Sequence, residues 1–117
     1  MTYVDGFLLA VPTANKEAYR KMAEDAAVVF KENGALSLVE CWGEDLPEGK
    51  VNSFHTAVLG KPEENVVFAW LTWPSKDVRD NGLRKVMDDP RMKVWENRFP
   101  FDGKRMIFGG FETIVDA

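Results

Sequence analysis

The chain has 117 residues, of which 45% are hydrophobic, and its 15 basic and 19 acidic residues give a net charge of −4. This composition is typical of one globular domain, residues 1–117, and excludes a disordered chain. The acidic balance argues against nucleic acid as a partner, because phosphate binding relies on clustered Lys and Arg. A single cysteine and a single histidine exclude an intrachain disulfide and a multi-histidine metal centre, so no cofactor is expected.

The N-terminus lacks the pattern of an export signal or a membrane span. Asp5 and Gly6 come early, no basic region precedes them, and only five apolar residues follow before Pro12. A membrane-spanning helix needs about 20 apolar residues. The lone Cys41 is compatible with a reducing compartment. We therefore expect a cytoplasmic protein that does not bind membranes.

The first half of the chain has the pattern strand, helix, strand. Apolar residues at 7–11 predict a strand that ends at Pro12 and a hydroxyl residue, Thr13. Apolar side chains then recur every three or four residues, which is the helical period, and Gly34 is suited to a left-handed cap. These side chains are Tyr19, Met22, Ala23, Ala26, Val29 and Phe30. A strand at residues 35–42 follows.

A connecting segment and a second copy of this unit come next. Glycines and prolines at residues 43–65 indicate loops around a short strand or turn at 52–59. An apolar strand at 66–73 then ends, like the first, at a proline and a hydroxyl residue, Pro74 and Ser75. The repeat predicts that a helix begins there.

The second helix has a weaker apolar stripe than the first. The stripe consists of Val78, Gly82, Leu83, Val86 and Met87. Ser75 or Asp77 is the predicted N-cap, and Pro90 ends the helix. A helical turn is expected within residues 91–99, and the last strand at 105–115.

The order strand, helix, strand, strand, helix, strand predicts an α+β fold. It is the ferredoxin-like, split βαβ arrangement (βαββαβ), a four-stranded antiparallel sheet with both helices on one face. The strands are nevertheless apolar on both faces. The central strand places Val66, Phe68 and Trp70 on one side, and Val67, Ala69, Leu71 and Trp73 on the other.

The last strand repeats this two-sided pattern. It places Met106, Phe108 and Ile114 on one side, and Ile107, Phe111 and Val115 on the other. Because the helices cover only one face, we expect the open face to pair with a second copy in a homodimer, with aromatics such as Trp73 or Phe111 at the interface. In the alternative, the 43–65 loop folds over the second face.

Several segments closely resemble the YbaA-like family of small bacterial proteins of unknown function. They include Tyr3-Val-Asp-Gly-Phe, Val39-Glu-Cys-Trp and above all Phe101-Asp-Gly-Lys-Arg-Met-Ile-Phe-Gly-Gly-Phe-Glu. The resemblance implies membership of the dimeric α+β barrel superfamily of ferredoxin-like folds. That superfamily includes cofactor-independent monooxygenases, haem-degrading enzymes and isomerases, so the resemblance implies no particular reaction and brings no catalytic residues.

Glu40 is the most unusual acidic residue of the chain, because it lies inside the apolar strand at 35–42. A carboxylate there is costly unless it is paired or opens on a cleft. The favoured interpretation is a salt bridge to Arg105 or Lys104, and the alternative is a site acid. Asp5 allows the same choice, with a strand bulge favoured over a site acid.

The remaining candidates are weaker. His55, the only histidine, suits proton transfer near neutral pH, but a structural or solvent-exposed role is favoured because no supporting motif surrounds it. Cys41 is expected to be an inert buried thiol. Tyr19, Trp42 and Trp70 are the candidates to line a pocket between the sheet and the first helix. Such a pocket suits either a small-molecule binding protein or a cofactor-independent enzyme acting on a small aromatic or apolar compound.

Overall fold

The computed structural model describes residues 2–96 and 98–117. The elements in chain order are β1 (Tyr3–Pro12), a 3-10 turn (Thr13–Asn15), α1 (Lys16–Glu32), β2 (Ser37–Trp42), α2 (Phe54–Ala57), β3 (Glu64–Trp73), α3 (Lys76–Asp88), α4 (Pro90–Lys93), a second 3-10 turn (Gly103–Arg105) and β4 (Ile107–Glu112). Within these residues the strands form an antiparallel sheet in the order β2-β3-β1-β4. The predicted ferredoxin-like α+β fold is confirmed.

The main core lies between the sheet and the helices α1 and α3. Alternate residues of the central strands point to this side, and they include Leu9 and Val11 of β1 and Leu71 and Trp73 of β3, which are buried. From α1, the apolar stripe predicted from the helical period packs against them. Its buried members are Tyr19, Ala23, Ala26, Val29 and Phe30.

Two glycines set how closely α3 approaches its neighbours. Gly34 has a φ of +108°, which confirms the predicted left-handed cap after α1. Gly82 lies inside α3, where the sequence pattern was weakest. A Cβ atom at Gly82 would lie 2.6 Å from the indole ring of Trp73, so glycine allows the helix to pack directly on that ring. Ser75 caps α3 by accepting a hydrogen bond from the Val78 amide at 3.2 Å.

Of the two alternatives for residues 52–59, the structure has the turn: the segment contains the helical turn α2, which the reciprocal capping box of Ser53 and Thr56 begins. Two other predicted boundaries differ from the structure. The turn expected within 91–99 begins earlier, with α4 at Pro90–Lys93, and Asn97 lies outside the described residues. The last strand ends at Glu112, where β1 also begins, because Glu112 lies opposite Tyr3. The apolar residues after Glu112 therefore have no strand beside them in the described sheet.

A buried ion pair ties the centre of the sheet to α3. The side chain of Asp5 is 6% exposed, and its carboxylate accepts hydrogen bonds from the Arg79 guanidinium, the shortest at 2.8 Å. The same carboxylate accepts a hydrogen bond from the Trp73 indole Nε1 at 2.9 Å. The expected bulge at Asp5 is wrong, because β1 keeps a regular register through this residue. The expectation that Trp73 faces an interface is also wrong, because its side chain is fully buried on the helix side.

The second face of the sheet is only partly covered. Val58, which follows α2, is fully buried against Ala10 and Val66, so the loop does cover one end of this face. Beyond it lies an uncovered apolar surface, here called the open face. It consists of Leu8, Phe68, Trp70, Ile107 and Phe111. Phe68 and Ile107 are each 46% exposed and Phe111 is 62% exposed, so the 43–65 loop covers only one end of this face.

A second ion pair holds the entry to β4 against the start of β3. Arg105 donates two hydrogen bonds to the carboxylate of Glu64, at 2.7 and 2.8 Å, and a third to the carbonyl oxygen of Leu59 at 2.9 Å. The Glu64 side chain is 4% exposed. The Arg105 guanidinium lowers the pKa of Glu64 from 4.5 to about 2.

We expect Glu64→Gln to remove part of the acid sensitivity of folding. Because the folded pKa of Glu64 is lower than its ordinary value, its stabilising contribution is present above pH 4.5 and is lost as the pH falls through about 2. The free energy of unfolding of the wild-type protein should therefore fall more steeply than that of the variant over this interval. Urea unfolding at several pH values measures both slopes. Parallel curves would contradict the assignment, and Glu17→Gln, in an exposed pair, is the control.

Candidate functional site

A cavity of about 320 Å³ lies between the N-terminal half of α1 and the edge strand β2. We call it the α1–β2 cleft. It is lined by Lys16, Tyr19, Arg20, Ala23, Glu24, Ala27, Leu38, Glu40, Cys41, Trp42 and Val67. The cleft exists because small side chains meet there. Ala23 and Ala27 lie one helical turn apart on α1 and both line the cavity, so their small side chains leave this space unfilled.

The strand pattern of β2 places the polar group of the cleft. Leu38, Glu40 and Trp42 alternate with residues that point to the open side of the sheet, so all three side chains face α1. The hydroxyl group of Tyr19 donates a hydrogen bond to Oε1 of Glu40 at 2.6 Å. Tyr19 is itself buried, and its ring packs edge-on against Phe101 with the centroids 5.7 Å apart. The helix therefore holds the phenol in position to bind the carboxyl group.

The cleft changes the acidity of both partners. Burial raises the pKa of Glu40 above its ordinary value of 4.5, and the hydrogen bond from Tyr19 opposes this in part. Burial and the neighbouring Glu40 raise the pKa of Tyr19 far above its ordinary value, so the phenol remains a donor. Glu40 nevertheless keeps exposed surface. The raised pKa and the exposed surface are compatible, because the walls of the cleft surround the carboxyl group closely but leave it in contact with water.

The favoured interpretation of Glu40 as part of a salt bridge is wrong. Arg105 binds Glu64 and Asp102, and Lys104 lies in the same 3-10 turn. Among residues 2–96 and 98–117, no base lies within ion-pair distance of Glu40. Glu40 lines the cleft instead, and its role as a site acid stays a prediction.

The two tryptophan candidates lie on opposite faces of the sheet. Trp42 lines the α1–β2 cleft, and Nζ of Lys16 lies 5.4 Å from the centroid of its ring. Trp70 packs beside Phe68 on the open face, with the ring centroids 5.4 Å apart. The expectation that Trp70 lines the pocket is therefore wrong, since its position in β3 directs it away from α1.

His55 lies apart from the cleft, whereas Cys41 lines it together with Glu40. His55 lies in α2, with Nε2 3.1 Å from the Lys61 carbonyl oxygen, and it borders a separate cavity formed by the 43–65 loop. Cys41 is exposed, so the expected buried thiol is wrong. Its position on the edge strand β2, opposite Phe68, explains why no neighbouring strand covers it.

The described part of the chain contains no cluster of three or more His, Cys, Asp or Glu side chains that could hold a metal ion. The absence of a cofactor stays a prediction. No helix in residues 2–96 and 98–117 is long and apolar enough to cross a membrane.

The fold and the cleft define a class of small α+β proteins with ferredoxin-like topology and a cavity between the first helix and the sheet edge. Residues 2–103 match the family model described as "Protein of unknown function (DUF1428)", and the chain belongs to that family. It is 58% identical over 116 residues, 99% of each chain, to the uncharacterized protein YbaA of Escherichia coli K12 and to its counterpart in Shigella flexneri. The resemblance to the YbaA-like family is confirmed.

Two solved structures show the same fold. An uncharacterized NIPSNAP domain protein from Burkholderia xenovorans aligns with a TM-score of 0.64 at 14% identity, covering 98% of this chain and 97% of that one. A putative antibiotic biosynthesis monooxygenase from Nitrosomonas europaea aligns with a TM-score of 0.56 at 10% identity, covering 97% and 90%. At these identities the likeness concerns the fold alone.

We expect Glu40→Gln to stabilise the protein, and more so as the pH rises. Because the pKa of Glu40 is raised in the folded state, its ionisation disfavours folding as the pH rises above 4.5. Glutamine keeps an acceptor for the Tyr19 hydroxyl without the charge. The unfolding free energy of the variant minus that of the wild-type protein should therefore grow from pH 4 to pH 8.

Urea unfolding at each pH tests this expectation, with Glu24→Gln at the exposed rim as the control. A variant that becomes progressively less stable than the wild-type protein as the pH rises would instead place Glu40 in an ion pair.

Proposed function

We propose that the protein binds a small apolar or aromatic molecule in the α1–β2 cleft. The observation that carries this proposal is the hydrogen bond from Tyr19 to Glu40 in a cavity whose lining surface is mostly apolar. A carboxyl group in such surroundings lowers the stability of the fold, and an apolar side chain at this position would lower it less. Ionisable groups with perturbed pKa values in a cleft are typical of functional sites.

The dimensions of the cleft favour a compact ligand. A volume of about 320 Å³ lies near the lower end of the usual range for small-molecule sites, roughly 300 to 1,000 Å³. The combination of an apolar lining with few polar groups is also usual for such sites. The structural neighbour from Nitrosomonas europaea, which has the same fold, is described as a putative antibiotic biosynthesis monooxygenase.

The second candidate function is a cofactor-independent enzyme, monooxygenase- or isomerase-like. The observation in its favour is the raised pKa of Glu40 next to a hydrogen-bonding phenol, which suits the exchange of a proton with a bound substrate. Turnover of a compound that binds in the cleft, lost in Glu40→Gln while binding persists, would favour the enzyme over the binding protein.

We also propose that two copies pair through their open faces. A four-stranded sheet about 20 Å long with strands about 4.8 Å apart has a face of roughly 400 Å². This is comparable to the largest apolar patch of a typical monomer, roughly 300 to 600 Å². At about 25 cal/mol per Å², covering it would contribute on the order of 10 kcal/mol per subunit before the cost of association.

The exposed thiol of Cys41 supports a further proposal, a cytoplasmic location, where reducing conditions preserve thiols.

The ligand proposal is tested by filling the cleft. Ala27→Met should obstruct the cavity without altering Tyr19 or Glu40, whereas Ala18→Met places the same side chain on the exposed side of α1. We expect thermal-shift screening of one-ring aromatic compounds to find stabilising ligands for the wild-type protein and for Ala18→Met. Their effect should disappear in Ala27→Met. A ligand whose effect survives in Ala27→Met would bind elsewhere and contradict the proposal.

The dimer proposal is tested by charging the open face. Sedimentation of the wild-type protein should give roughly twice the chain mass of 13.3 kDa. Phe111→Asp would bury a charge in the interface and should give monomers, because an unpaired buried charge is strongly destabilising. Val28→Asp, at an exposed position of α1, is the matched control and should stay dimeric. A monomeric wild-type protein at micromolar concentration would refute the proposal.

A further inference from the structure

We infer that the α1–β2 cleft selects a one-ring aromatic acid with a hydroxyl group on the side of the ring opposite its carboxylate. This inference rests on the proposed binding function and concerns the chemistry of the ligand. It depends on two polar groups that line the same cavity, Glu40 of β2 and Lys16 of α1.

The Glu40 carboxyl group can accept a further hydrogen bond. Its Oε1 atom accepts the Tyr19 hydroxyl, and within the described residues its Oε2 atom has no hydrogen-bond partner. A ligand hydroxyl group can bind Oε2, because a hydroxyl both donates and accepts hydrogen bonds. A ligand carboxylate placed there would meet another carboxyl group and be repelled when both are ionised.

Of the two basic residues in the lining, Lys16 is the cation available to a ligand. The other basic residue of the lining, Arg20, already lies 3.2 Å from a carboxylate oxygen of Glu17 and 3.4 Å from one of Glu24. In the described part of the chain, no carboxylate lies within ion-pair distance of Lys16. An anionic group of a ligand beside Lys16 would be attracted to it, whereas an amine would be repelled.

The spacing of these two groups suits one aromatic ring. Glu40 and Trp42 are two residues apart on the same face of β2, which separates them by roughly 6.6 Å along the strand. Lys16 lies over the Trp42 ring, with Nζ 5.4 Å from its centroid. Since Lys16 lies over Trp42 and Trp42 lies two residues beyond Glu40 on β2, the carboxyl and ammonium groups take different positions along the strand. A one-ring ligand that reaches both must carry its two polar groups on opposite sides of the ring. The indole of Trp42 and the apolar side chain of Leu38 provide walls for the ring.

The test uses 4-hydroxybenzoate as the probe and compares it with benzoate and phenol, each of which lacks one polar end. Calorimetric titration of the wild-type protein should show 4-hydroxybenzoate binding at least about tenfold more tightly than either, which corresponds to about 1.4 kcal/mol. Lys16→Met should weaken 4-hydroxybenzoate to about the affinity of phenol without changing the Kd of phenol. Glu40→Leu should abolish the advantage of 4-hydroxybenzoate over benzoate. Lys21→Met, an exposed lysine outside the lining, is the matched control.

The outcomes separate this inference from the proposed function. Equal affinities for the three probes, or unchanged binding in Lys16→Met, would overturn the ligand class. If apolar one-ring compounds nevertheless bind and Ala27→Met blocks them, the binding function stands and only the inference is wrong. If no one-ring compound binds, both are wrong.

Discussion

A sheet of four strands has two faces, and two helices on the same side can cover only one of them. In this protein both faces are apolar, so the packing of the whole molecule follows from how each face is removed from water. The helix side is closed by α1 and α3, and the buried contact from Asp5 to Arg79 and Trp73 fixes α3 on the sheet. On the other side, Val58 and its neighbours cover one end, and Phe68, Ile107 and Phe111 are left exposed.

The α1–β2 cleft is a consequence of side-chain size at the edge of the same sheet. Where large residues of α1 meet the central strands, they fill the core, as Val29 and Phe30 do. Nearer the N-terminus of the helix, alanines face the edge strand, and the resulting space contains the Glu40 carboxyl group. The two glutamates on β2 and β3 show how surroundings decide acidity, because burial raises the pKa of Glu40 whereas an arginine lowers that of Glu64.

The sequence predicted what depends on local periodicity and missed what depends on contacts between distant elements. The helical period and Gly34 predicted the extent of α1 well, and alternation separated Phe68 from Leu71 correctly. The end of β4 was missed because it is decided by where its partner β1 begins. The sequence singled out Glu40 as an unusual acid and Tyr19 as a pocket candidate, but it did not predict their hydrogen bond, because the two residues lie 21 positions apart on different elements.

The position of β2 at the border of the sheet has a consequence for how the cleft could admit a molecule. In the described sheet β2 is hydrogen-bonded to β3 alone, and four of its six residues line the cavity. Separating an edge strand breaks one ladder, whereas separating a central strand breaks two and exposes the core. The cavity can therefore open when β2 separates locally from β3, at a free-energy cost well below that of unfolding. The central strands remain paired during this opening.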